Sequence, residues 1–193
     1  MRIGILGGTF DPPHVGHLLA ASDAYERLSL DRLLFVPAGS QPFKADDVRA
    51  DGEARLQMVR LMVGDDARFA VEPAEIQRKG LSFTVDTVTE LARRHPGAQL
   101  FLLIGEDNVT QFASWREPER IASLATIAVL ARGGVPVPAA AAATEGYPMR
   151  YLETRRVDIS STEIRARVRE GRSIRGFVSD AVAEYIRSAG LYR

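Results

Sequence analysis

The chain has 193 residues, enough for one domain with a sizeable core, and its 25 basic and 25 acidic side chains cancel. That balance speaks against a global nucleic-acid or membrane surface, although residues 150–193 hold ten arginines against six acids, which points to a local anion near that end. The lack of cysteine excludes disulfides, thiolate nucleophiles and thiolate-bound zinc. No apolar run has the length of a signal peptide or a membrane span, so a cytoplasmic protein is expected.

Residues 2–6 form a short apolar run and predict a strand. It passes directly into Gly7-Gly8-Thr9-Phe10-Asp11-Pro12-Pro13-His14-Val15-Gly16-His17. A helix is predicted over residues 15–27, a strand over 32–36, a helix over 53–63, a strand over 69–71, a helix over 85–94 and a strand over 100–104. Two further strands are expected at 125–130 and 151–153. The alternation describes βαβ units and a doubly wound parallel sheet with helices on both faces, whose ligands sit at the C-terminal strand ends. Gly133-Gly134-Val135-Pro136-Val137-Pro138 and the alanines that follow read as a connection. Ser160-Ser161-Thr162-Glu163 fits a capping box, with Ile164 and Val168 as the buried stripe behind it. A last helix over 180–188 buries Val182, Tyr185 and Ile186 and stops at Gly190. The whole is expected to be a single domain, 1–193, with a small C-terminal helical extension from about residue 158.

A strand that hands over to a helix through paired glycines leaves main-chain amides and the positive end of the helix dipole facing an anion. His14 and His17, spaced i and i+3, share a face of the first turn and can reach the same phosphates. Pro12 and Pro13 keep the loop from turning helical early. Asp11 reads as ordering the turn, with orientation of a ligand as the alternative. The start of the helix at Ser160-Ser161 is a second anion site, with Arg165 one turn beyond Ser161; the plain alternative is a capped helix whose arginines face solvent. Lys44 follows the second strand and by itself reads as an exposed loop lysine. Trp115 is the only tryptophan and lies among polar neighbours.

The stretch from Gly7 to His17 resembles, position for position, the Gly-Gly-Thr-Phe-Asp-Pro-x-His-x-Gly-His segment of bacterial nicotinate mononucleotide adenylyltransferases. His-x-Gly-His alone would be weaker, being shared by the wider nucleotidylyltransferase superfamily and by class I tRNA synthetases. Ile159-Ser160-Ser161-Thr162-Glu163-Ile164-Arg165 is similar to the superfamily's Ile-Ser-Ser-Thr-x-Ile-Arg. The resemblance implies a Rossmann-like fold of nucleotidylyltransferase type and transfer of the adenylyl group of ATP to nicotinate mononucleotide, giving deamido-NAD and pyrophosphate. Mg2+ would be bound through the ATP phosphates. His14, His17, Lys44 and Arg165 are the implied catalytic groups. ATP would also meet Gly7, Gly8, Thr9, Phe10, Gly105, Asp107, Ile159, Ser160 and Ser161.

The acceptor would meet Lys44, Phe83, Thr84, Asp107, Trp115, Arg116 and Arg132, with Trp115 stacked on the pyridine ring and the Thr84 hydroxyl and Arg116 amide at its carboxylate. Three positions depart from the family pattern: Phe43 replaces a histidine, Phe83 a tyrosine, and Gly133-Gly134 replaces Pro-Gly after Arg132. The alternatives are the same chemistry on nicotinamide mononucleotide or phosphopantetheine, or a non-catalytic nucleotide-binding regulatory module. No metal held by the protein alone, no nucleic acid and no membrane are expected; a homo-oligomer is compatible with the chain.

Overall fold

The computed structural model describes residues 1–39, 49–78, 80–131 and 146–193. Lys44 and Phe43, Arg132 and the Gly133-Gly134 connection with its alanines lie outside the described residues.

Six strands form one sheet: β1 (Arg2–Gly8), β2 (Arg32–Pro37), β3 (Phe69–Val71), β4 (Gln99–Gly105), β5 (Ala125–Ala131) and β6 (Met149–Glu153). Their order is β3-β2-β1-β4-β5-β6 and every neighbouring pair is parallel. The helices among the described residues are α1 (Val15–Arg27), α2 (Gly52–Val63), α3 (Ala74–Gln77), α4 (Thr84–Arg94), α5 (Pro118–Leu124), α6 (Ser161–Arg169) and α7 (Asp180–Ser188). The expected alternation is therefore present, with two short helices, α3 and α5, added. Both are under two full turns, too brief for a 3.6-residue period to stand out.

The inner strands are mostly apolar, with Thr126 of β5 as an exposed exception, because the sheet is covered on both faces. Successive side chains alternate between two cores. Leu6, Leu33, Phe35, Phe101 and Leu103 join α1, α2, α6 and α7 on one face. Ile3, Ile5, Leu34, Val36, Leu102 and Ile104 join α4 and α5 on the other. The C-terminal helices thus belong to the same core as α1: Ile164 and Val182 are fully buried there.

The strand order reverses between β1 and β4, whose registers pair Leu6 with Leu103. A crevice opens where the connections leave in opposite directions, and its floor is the pair of strand ends Gly7-Gly8 and Gly105.

Candidate active site

Phe10 takes a left-handed backbone conformation, φ 51°, and its ring is driven into the core, 2% exposed. The ring supports the site from below. It stands edge-on to His17 with centroids 4.9 Å apart and against Phe35 at 5.9 Å. Gly8 must lack a side chain here, since a Cβ would come within 2.9 Å of that ring.

His14 caps α1 in extended conformation. Its imidazole lies 3.8 Å, centroid to centroid, from that of His17. Nδ1 of His17 accepts the main-chain N–H of His14 at 3.2 Å. A neutral imidazole that accepts at Nδ1 carries its proton on Nε2, so this bond sets the tautomer that can donate to an anion.

Helix α6 docks directly onto the same loop. Ser161 Oγ donates to the Pro12 carbonyl at 2.8 Å and Arg165 Nη1 to the Asp11 carbonyl at 2.8 Å, while Arg165 Nη2 reaches Thr162 Oγ1 at 3.2 Å. Segments 150 residues apart in sequence are thereby joined. Ser160 has a different place: it is exposed, and its hydroxyl accepts from the Glu163 amide at 3.1 Å, the hydroxyl half of the expected capping box.

A cleft of about 490 Å³ lies between these elements. Gly7, Gly8, Thr9, Phe10, His14 and His17 line one wall, Gly105 and Asp107 the end of β4, and Ile159, Ser161 and Arg165 the other wall. Ser160 is not among the lining residues. A second cavity of about 280 Å³ adjoins it. Phe83, Thr84, Trp115 and Arg116 line this one, below the same Gly7-Gly8-Thr9 and Gly105. The two spaces thus share a rim made by the ends of β1 and β4. A Cβ on Gly105 would meet the exposed Asp107 carboxylate, so a side chain at this end of the rim would push that carboxylate aside.

Trp115 is half-buried and packs on Phe112, ring centroids 5.3 Å apart, which in turn meets Tyr147 at 5.2 Å. The Arg116 guanidinium sits 4.7 Å above the Phe83 ring. Phe83, standing where the family has tyrosine, keeps the ring face for this cation and lacks the hydroxyl.

Four contributors escape the sequence reading. Glu75 lines the smaller cavity and accepts from Thr87 Oγ1 at 2.8 Å; burial pushes its carboxyl above the usual range, partly opposed by that bond. Arg55 is 4% exposed, and burial lowers its guanidinium from the ordinary value while Asp11 opposes the change. Tyr192 donates its hydroxyl to Asp11 Oδ1 at 2.6 Å. Thr154, also buried, donates to the Ala131 carbonyl at 3.1 Å beside the larger cleft. Arg55 did carry a signal: it falls on the stripe of α2 shared with Met58, Val59 and Met62, where a cation needs a buried partner.

Parallel order 3-2-1-4-5-6, with a glycine-rich loop at the switch point, defines a Rossmann-like, doubly wound nucleotide-binding fold. The cytidylyltransferase-like family profile matches residues 5–167. A Gemmatimonas aurantiaca protein named "probable nicotinate-nucleotide adenylyltransferase" is 50% identical, covering 100% of this chain and 93% of its own length. Its Thermus thermophilus namesake is 47% identical over the full length of both. Among solved structures, the nicotinic acid mononucleotide adenylyltransferase of Plasmodium falciparum complexed with APC matches in fold, with a TM-score of 0.76 at 16% identity over 99% of this chain and 96% of that one. The chain belongs to the cytidylyltransferase-like family and, within it, to the nicotinate-nucleotide adenylyltransferases.

Proposed function

We propose that this protein transfers the adenylyl group of ATP to nicotinate mononucleotide, forming deamido-NAD and pyrophosphate, a step of NAD biosynthesis, and that residues 1–193 act as one catalytic unit. The observation that carries the reading is the shared rim: a polar cleft walled by His14, His17 and Arg165 opens beside a smaller cavity walled by Trp115, Phe83 and Thr84. An adenylyl donor and a mononucleotide held in these two spaces would meet over Gly7, Gly8 and Gly105. Full-length relatives at 50% and 47% identity carry the matching name, and a Plasmodium falciparum enzyme of the same fold is described as complexed with NaAD.

In this reading a phosphate oxygen of the acceptor attacks the α phosphorus in line. The new O–P bond forms as the bond to the β-phosphate oxygen breaks, and pyrophosphate leaves. The attacking oxygen is already anionic, so positioning and charge neutralisation carry the catalysis. His17 Nε2–H, His14, the amides of Gly8, Thr9 and Phe10 and the guanidinium of Arg165 hold the triphosphate; Ile159 and Ser161 border it. Lys44 is assigned to the same phosphates and Arg132 to the acceptor side. Gly105 and Asp107 face the nucleotide riboses, Trp115 stacks on the pyridine ring, and Thr84 with the Arg116 amide meets its carboxylate at the start of α4, where a helix end favours an anion.

Mg2+ carried on the ATP phosphates would supply charge neutralisation for the leaving pyrophosphate. Among the described residues no three His, Asp or Glu side chains stand together to hold an ion. Among the same residues no helix is long and apolar enough to cross a membrane; a cytoplasmic location belongs to the proposal.

The test is pyrophosphate release over a panel of acceptors: nicotinate mononucleotide, nicotinamide mononucleotide and phosphopantetheine. Turnover with the first, and rejection of the amide by up to about ten-thousandfold, is expected of a site that hydrogen-bonds a carboxylate. Equal rates with acid and amide would overturn the acceptor assignment, and ATP binding without pyrophosphate release would indicate a regulatory module.

A further inference from the structure

The loop that walls the cleft is held from behind by groups that touch no substrate in the proposed reaction. Arg55, rising from the first turn of α2, donates Nη1 to the carbonyls of Thr9 at 2.8 Å and Ala38 at 2.7 Å, and Nε to Ala50 at 3.3 Å. One buried guanidinium therefore ties the phosphate loop, the end of β2 and the entry to α2. Asp11, 2% exposed, accepts three hydrogen bonds: Oδ2 takes the Arg49 amide at 2.7 Å, and Oδ1 takes the Ala50 amide at 3.1 Å and the Tyr192 hydroxyl at 2.6 Å. Tyr192 follows α7, is 9% exposed, and lies in the same core as Ile186.

We propose that Arg55 and Tyr192 are positioning residues for adenylyl transfer, setting the geometry of the Thr9–Asp11 main chain through the Thr9 carbonyl and the Asp11 carboxylate. The inference rests on the reaction proposed above.

Three physical points support it. First, the loop cannot hold its shape by propensity, because Phe10 sits at positive φ, a conformation that costs about 1–3 kcal/mol and persists only where surroundings impose it. Arg55 and Asp11 flank Phe10 and grip the chain on either side of it. Second, a guanidinium on the Thr9 carbonyl polarises the Thr9–Phe10 peptide, which makes the Phe10 N–H a stronger donor. Third, the cluster is electrically balanced. Arg55 is desolvated, with the charge of Asp11 the largest influence opposing that, while burial and the bond to Asp11 push the Tyr192 phenol far above its ordinary range, so that it stays a neutral donor. A buried charge without hydrogen-bond partners would be costly, and here the Arg55 guanidinium is held by three carbonyls and the Asp11 carboxylate by three donors.

Two variants and one control test this, by hydrogen exchange of peptides covering residues 7–12 and by steady-state kinetics. Tyr192→Phe deletes one hydroxyl, and Arg55→Lys keeps the charge but loses the planar fork. Val182→Ala opens the α7 core, where Val182 is fully buried, without touching Asp11 or Thr9. In both loop variants, exchange at 7–12 is expected to rise about tenfold relative to the rest of the sheet, and kcat to fall about tenfold with KM for the acceptor within twofold, the loss of a charge-assisted hydrogen bond being of that order. Val182→Ala should lower the melting temperature at least as far and leave both readouts near wild type below its transition. Unchanged exchange and kcat in Tyr192→Phe and Arg55→Lys would overturn the inference, as would an equal loss in Val182→Ala. Should no protein, wild type included, release pyrophosphate, the parent reading fails, while the exchange data still decide whether these two residues hold the loop.

Discussion

His17 is fixed on three sides, by the ring of Phe10, the ring of His14 and the His14 amide on Nδ1. Only such fixed donors lower a barrier, because no reorganisation accompanies the charge that develops on the phosphate. His17→Ala should therefore reduce kcat by about 10²–10³, or roughly 3–4 kcal/mol, with far less effect on the melting temperature; stopped-flow pyrophosphate detection measures the first and calorimetry the second. Glu75 makes a different residue-scale prediction. Its carboxyl is raised above the ordinary value by burial, so the folded state prefers it protonated. Relative stability is fully present below the unfolded carboxyl range near about 4.3 and is lost as pH rises through the raised folded value. Glu75→Gln removes that loss and keeps an acceptor for Thr87. Its melting temperature should match wild type near pH 4 and exceed it by a few degrees at pH 8.

Helix α6 begins with two serines of opposite use. Ser160 Oγ accepts the Glu163 amide, whereas Ser161 Oγ bridges to the Pro12 carbonyl across the fold. Ser160→Ala should cost about 1 kcal/mol of stability and leave kcat within a few-fold. Ser161→Ala should release the tie between α6 and the phosphate loop and lower kcat more than it lowers the melting temperature. Parallel melts and initial rates on the two variants separate these outcomes. The motif Ile-Ser-Ser-Thr-x-Ile-Arg does not distinguish the serines, since capping and bridging both ask for a small hydroxyl. Their division of labour depends on which one faces Pro12, and that is a property of the packed sheet.

At the level of the whole molecule, the alternation of apolar runs sufficed for the parallel sheet, because both faces are covered and the inner strands are dominated by apolar side chains. Boundaries moved by a few residues where a polar or glycine end, such as Gly7-Gly8 or Gln99, still pairs in the ladder. The two histidines and Arg165 were legible because their spacing and capping pattern repeat a known motif. Glu75, Tyr192 and Thr154 were not: each acts through a partner on another element, Tyr192 on a residue 181 positions away, and no local pattern records such a pairing; the place of Arg55 on the buried stripe of α2 signalled a buried partner without saying which.

The account depends on one triphosphate spanning the β1–α1 loop and α6. A crystal structure with magnesium and an ATP analogue whose α–β bridge cannot be cleaved tests this directly. His17 Nε2 and the Arg165 guanidinium are predicted within hydrogen-bond distance of the same bound nucleotide, with its α phosphate at the rim by Gly8 and Gly105. A nucleotide whose phosphates meet only one of the two elements, or that lies away from the rim, would contradict it.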